Sequence, residues 1–239
     1  MILQRLSRAI RQQNWFAVAL EFVIVIAGVV IGFQITEWNG ERQERRLTTV
    51  TLERLENDFI AIVNEEEEYV ASISTTIETM SVMRTALRDG SLPAEASGTF
   101  ESGLLRAYTH REPAGRSSTF VEIEASGRMA LIEDENLRQA LLHYDAHVAA
   151  ARENFLHARL IQTEYMRPFT RQYDTAPGAE RRTVTAYDFD AMADDRDFVD
   201  AVEQLAAMQH VYLTWHQEHL DRARMVLVLI RQSHSEARE

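Results

Sequence analysis

The chain has 239 residues and a formal net charge of −12, an acidity that argues against a nucleic-acid partner because phosphate binding needs clustered basic side chains. It holds no cysteine, so disulfides, thiolate catalysis and thiolate metal sites are excluded. Hydrophobic residues make up 46% of it and charged residues 26%, enough for a real core, while nine glycines and four prolines are too few to punctuate a turn-rich β architecture.

In chain order, residues 1–14 come first. Arg5, Arg8 and Arg11 face away from Leu3, Leu6 and Ile10, the pattern of a cytoplasmic amphipathic segment lying on an anionic membrane surface. Residues 15–37 follow as a predicted transmembrane helix. From Phe16 the sequence reads FAVALEFVIVIAGVVIGFQI, and at about 1.5 Å per residue this run covers the roughly 30 Å of bilayer hydrocarbon. Trp15 and Trp38 bracket it, where indoles settle at the two interfaces. A signal peptide shares the charged start, but this run is longer than a usual h-region and lacks a small-x-small cleavage site.

Basic residues are balanced across the segment, with Arg5, Arg8 and Arg11 before it and Arg42, Arg45 and Arg46 after it. The free amino terminus tips the balance toward a cytoplasmic N-terminus and a periplasmic remainder, in a bacterial inner membrane. Glu21 sits near enough to the end of the run to reach the headgroups, the plain reading beside a proton or ion relay. Gly28 and Gly32 form a GxxxG pair that would let two membrane helices approach closely and self-associate.

Residues 38–239 are expected to form one helical bundle outside the bilayer. Leu52, Leu55, Phe59, Ile62, Tyr69, Ile73, Ile77, Met80 and Leu87 recur at three- and four-residue steps, a coiled-coil-like stripe on one long helix over 38–88 that could continue the membrane helix. Glu66 takes a place in that stripe and marks a loosening of the packing; the run Glu65 to Glu68 otherwise reads as a solvated face. A linker over 89–98 precedes a short helix with Thr99 as N-cap and Phe100, Leu104, Leu105 and Tyr108 as its apolar face. Pro113 and Gly115 break the chain before a second short helix that starts at Ser118 or Thr119 and ends at Gly127.

Asp134 caps a second long helix whose apolar positions are Leu137, Leu141, Tyr144, Val148, Phe155, Leu156 and Leu160, and which Pro168 should kink or end. Residues 174–185 read as a loop around Pro177 and Gly178. A last helix begins near Asp195 and carries Phe198, Val202, Leu205, Met208, Val211, Tyr212, Trp215, Leu220 and Val226. Its apolar end, 227–230, is too short to span a bilayer and should be buried in the bundle or against the membrane surface. The fold class is thus all-α: one N-terminal transmembrane helix, a long coiled-coil-like helix and an antiparallel helical bundle.

The stretch NWFAVALEFVIVIAGVVIGFQITEWN over 14–39 and the stretch SSTFVEIEASGRMALIEDENLRQALLHY over 117–144 together resemble a bacterial family of single-pass membrane proteins with an N-terminal transmembrane helix and a helical domain of unknown function. The resemblance implies a membrane-anchored helical domain, with no activity and no site residues to carry over.

Two histidine pairs are the remaining candidates for chemistry. His143 and His147 stand at i and i+4, His216 and His219 at i and i+3, spacings from which a zinc site could be built. HExxH fails because Tyr144 follows His143, and no nucleophile elbow, Walker loop or dinucleotide fingerprint occurs. No catalytic residue and no cofactor is expected. The functional expectation is a membrane-anchored binding, scaffold or sensor-like module of the bacterial envelope. Its partners are the lipid bilayer and a protein, or a second copy met through the membrane helix and the long helix. The alternative is a metal-binding or metal-dependent hydrolytic bundle.

Overall fold

The structure, a computed structural model, describes residues 15–178 and 182–236, with side chains between Ala19 and Ser235. The N-terminal amphipathic segment and the Trp15 indole lie outside the described residues. Among those described, six α-helices and one two-stranded sheet occur: α1 (Trp15–Asp89), α2 (Ser97–Arg106), α3 (Ser118–Ala125), α4 (Glu135–Thr170), β1 (Tyr173–Pro177), β2 (Arg182–Tyr187), α5 (Phe189–Asp194) and α6 (Arg196–Glu236). The chain is all-α apart from that hairpin. It divides into two units, Met1–Val50 and Thr51–Glu239, and α1 contributes to both.

In the first unit, α1 is long and apolar enough to cross a membrane, and its apolar window is wholly unburied. Phe22 is 65% exposed and Phe33 72%. A Cβ at Gly28 or Gly32 would meet nothing within 4 Å. Trp38 is exposed, with the Arg42 guanidinium 5.7 Å above its ring.

In the second unit, no glycine or proline interrupts α1 before Gly90. There a Schellman motif ends it: Gly90 adopts φ +62°, its N–H bonds the Leu87 carbonyl at 3.3 Å, and the Ser91 N–H reaches Ala86 at 3.1 Å. Leu52, Leu55, Phe59, Ile62, Ile73, Met80 and Leu87 of the predicted stripe are buried. A 3-10 turn, Ala94–Ala96, leads directly into α2, so the helix starts at Ser97 with no side-chain cap and Thr99 is not its N-cap. Gly103 lets α2 approach closely, since a Cβ there would lie 2.6 Å from Met83 Cε and 3.4 Å from the Thr79 carbonyl oxygen.

The next helix starts at Ser118 as expected, with Ser117 as its N-cap, and the expected Asp134 cap is present. Ser117 Oγ accepts the Phe120 N–H at the start of α3, and Gly127, at φ +69°, closes it with a second Schellman pair to Glu124 and Ile123. Asp134 accepts the Asn136 N–H at the start of α4. Pro168 does not end α4, which continues to Thr170. Only a final turn lies beyond it, and Phe169 there is fully buried against Phe198 and Tyr173, packing that outweighs one lost backbone bond. Leu156 and Leu160 are exposed, because Gln162 takes the inward position on that part of the helix.

The predicted loop over 174–185 is instead a hairpin, pairing Tyr173 with Tyr187 through Pro177 with Arg182, bulged between Asp174 and Thr175. It lies on α2: Tyr187 stacks on Phe100 at 5.6 Å, and the Tyr173 hydroxyl donates to the Leu104 carbonyl at 2.9 Å. Asp188 then caps the short α5, and Asp195 accepts the N–H groups of Asp197 and Phe198 where α6 begins.

Side-chain pairs give the helix directions. Glu56 meets Arg231, Glu67 meets Arg224 and Arg84 meets Glu203, so α1 and α6 are antiparallel. Phe59 meets Tyr144, while Ile73 and Phe155 share a cluster, so α4 runs in the same sense as α1. Leu227 and Ile230 are buried with Leu55, Leu137 and Leu220, which places that apolar end inside the bundle. Two parallel helices in succession require the chain to return along the bundle between them. It does so through α2, a non-helical strap over 107–117 that opens with a turn at Ala107, and α3.

Candidate functional site

A helix satisfies its own backbone, and a non-helical strap does not. Residues 107–117 are threaded among three long helices, so their carbonyl and N–H groups need partners from side chains. The buried polar residues of the bundle supply them. Gln209 Nε2, from α6, donates to the Ala107 carbonyl at 2.9 Å and the Thr109 carbonyl at 3.0 Å. Gln162 Nε2, from α4, donates to the Tyr108 carbonyl at 3.0 Å, and its oxygen accepts the Tyr212 hydroxyl at 3.2 Å. Burial pushes the Tyr212 phenol up to about 12, which keeps it a neutral donor.

Lower down, the partners are ionisable. His216 of α6 places Nε2 3.1 Å from the Arg111 carbonyl and Nδ1 2.7 Å from Glu66 Oε2. A carbonyl only accepts, so Nε2 carries a hydrogen; a second hydrogen must lie between Nδ1 and the carboxylate, an assignment made from the network. Glu66 and His216 therefore share one proton as a unit, at 2% and 1% side-chain exposure. Glu66 Oε1 also accepts the Ala114 N–H. The Tyr69 ring packs on His216 at 4.4 Å, and Arg111, paired with Glu65, lies over Tyr69.

The Tyr144 hydroxyl of α4 is 3.4 Å from the Gly115 carbonyl and 3.0 Å from His219 Nε2. Burial, with Glu66 and Asp145 nearby, raises its pKa strongly, so it stays a phenol. His219 is 0% exposed. Burial lowers its pKa to about 4; Glu66 and the Ala114 backbone oppose that shift, and His147 and His216 reinforce it. His147 stacks on His219 at 5.6 Å, and burial lowers its pKa as well. At the strap's end, Asp58 Oδ2 accepts the Ser117 and Ser118 hydroxyls at 2.8 and 3.1 Å and the Thr119 N–H at 2.9 Å. Its pKa is lowered: burial alone would raise it, and these three groups together with the Thr119 side chain outweigh burial.

The predicted histidines thus separate. His143 is exposed on α4 and joins none of these contacts. His147, His216 and His219 come together, yet both nitrogens of His216 are already engaged, and His219 Nε2 faces a phenol. Among the described residues, no group of three or more His, Asp or Glu is placed to hold a metal ion. Of the Glu65 to Glu68 run, three side chains are exposed, whereas Glu66 is the strap's anchor and not a point of loose packing.

Asp58, Tyr144, Gln162 and Gln209 were not singled out as polar sites. Their signal was a hydrogen-bonding group among the apolar positions of a long helix, beside a segment broken by Pro113 and Gly115. Comparison with protein-family models, with curated proteins and with solved structures finds no match to this chain.

Proposed function

We propose that this chain is a membrane-anchored helical binding and scaffold module of the bacterial envelope, of the single-pass family its 14–39 and 117–144 stretches resemble. The observation that carries the reading is the apolar part of α1, whose side chains have no protein to cover them while every predicted long helix of the bundle has found its core. That much bare apolar surface favours lipid. Of the buried polar groups, Glu66, His216, Gln162 and Gln209 are occupied in holding the strap.

In this reading the N-terminus is cytoplasmic and the bundle periplasmic in the inner membrane, and a second copy packs on the Gly28 and Gly32 face. Glu21 lies one heptad before Gly28 and so shares that face. Two measurements test the proposal. Alkaline phosphatase fused after Glu239 should be active, and an inactive fusion with the protein still in membranes would reverse the orientation. Because the chain lacks cysteine, Ile24→Cys, on the glycine face, should give an oxidised dimer, and Val30→Cys, on the opposite side, should give little. Equal crosslinking at both positions, or none, removes self-association through that face.

A further inference from the structure

We propose that the groove bounded by α1, α2, the strap and β2 binds a small ligand carrying an oxyanion, either carboxylate or phosphate, through the Arg106 guanidinium. The groove has a volume of about 650 Å³, a size suited to a metabolite-scale ligand. Tyr69, Ser72 and Thr76 line it from α1, Arg106 from α2, Tyr108 from the strap and Arg182 from β2.

Among the described residues, four buried side-chain nitrogens lack a partner, on Arg106, His147, His219 and His234, and of these residues only Arg106 lines the groove. Its Nη1 is shut off from solvent and has no hydrogen-bond partner, and no ion pair to it occurs among the described residues. Arg54 meets Glu122, Arg84 meets Glu203, Arg116 meets Asp145 and Arg224 meets Glu67, whereas Arg106 has no carboxylate partner among the described residues. A buried donor without an acceptor is costly, so a native one calls for a missing partner. The charged groups on the groove wall are Arg106, Arg182 and Glu101, a net positive lining in a protein of charge −12. Arg182 is tethered to its own hairpin, Nε donating to Thr175 Oγ1 at 2.9 Å, and Glu101 receives the Tyr187 hydroxyl at 3.5 Å. Arg106 alone offers an unused planar fork, the geometry that pairs with two oxygens of a carboxylate or phosphate. The exposed Ser72 hydroxyl adds a neutral donor, and the tyrosine rings give the ligand's body an apolar wall. This site belongs to the bundle and does not depend on the membrane orientation or on self-association.

The test uses the full-length chain in detergent, unfolded thermally with inorganic phosphate or succinate against chloride at matched ionic strength. One of the two probes should raise Tm above chloride, and which one does so distinguishes phosphate from carboxylate recognition. Arg106→Gln should weaken apparent binding about tenfold or more, the loss expected of a charge-assisted contact. Without probe, the same variant should unfold at the wild-type temperature or higher, because an unpartnered buried donor has gone; a merely structural arginine would lower it. Arg106→Lys, which keeps charge but not the fork, should bind with intermediate strength. Absence of stabilisation by both probes, equal stabilisation of wild type and Arg106→Gln, or full binding by Arg106→Lys would overturn the assignment.

Discussion

The upper and lower halves of the strap have the same structural need and meet it with different chemistry. Over 107–109 the carbonyls are held by amides, Gln209 and Gln162, backed by the neutral Tyr212 hydroxyl. Over 111–115 the partners are Glu66, His216 and Tyr144, with the buried His219 behind them. Amide partners hold at any pH, whereas the buried His219 behind the lower half makes it sensitive to charge. The comparison separates two roles that a buried polar residue can play: satisfying a backbone, which either chemistry achieves, and titrating, which only one can.

The largest break should come at Glu66. Glu66→Ala leaves His216 Nδ1 and the Ala114 N–H without acceptors in a dry interior, and removing one member of a buried pair costs roughly 3–5 kcal/mol. Glu66→Gln should cost about 1 kcal/mol or less, because the amide oxygen can accept the Ala114 N–H while the amide nitrogen donates to a neutral imidazole that keeps Nε2–H on Arg111. Urea unfolding of the two variants at neutral pH checks this. Similar losses for alanine and glutamine would mean that the negative charge itself, and not the hydrogen-bond pattern, holds the lower strap.

Next in size is an acid effect from His219. Its folded pKa, about 4, lies below the ordinary value of 6.5, so between those values the unfolded chain binds more protons and stability rises with pH. The contribution is complete above 6.5, falls as pH drops toward 4, and is worth on the order of 3 kcal/mol. His147, whose pKa burial also lowers, acts in the same direction. Asp58 and Glu56 carry lowered pKa values, so their losses come at more acid pH, below the ordinary carboxylate range. Unfolding free energies across the window from 6.5 to 4 should therefore slope for wild type and flatten in His219→Gln. An unchanged slope in that variant would assign the acid sensitivity to other groups, His147 first.

The helices were legible because their signals are local. The stripe from Leu52 to Leu87, the Asp134 cap and the Gly127 terminus need only neighbouring residues to be read. The hairpin was not, since β1 and β2 are short and their stability comes from Tyr173 and Tyr187 resting on α2, contacts about seventy and eighty-seven residues away in sequence. The site was half legible. Histidine spacing drew attention to His216 and His219, but Glu66 lies 150 residues from its partner, and nothing within one helix announces whether an inward carboxylate has one. The functional meaning of such residues depends on a non-helical segment from elsewhere in the chain, which periodicity cannot supply.

The smallest effects sharpen the contrast at the amide end. Gln209→Leu strips the donor from two carbonyls at once and should cost about 2 kcal/mol. Gln162→Leu should cost about the same, because the Tyr108 carbonyl still accepts from His110 Nδ1 at 3.0 Å but the buried Tyr212 hydroxyl loses its acceptor. Neither group titrates, so both losses should stay constant between pH 7 and 5 in the same unfolding assay, while the penalty of any change at His219 varies over that range. A pH-dependent loss in Gln209→Leu would mean that the two halves of the strap do not yield independently, and that protonation at the lower end is felt along the whole segment from Ala107 to Gly115.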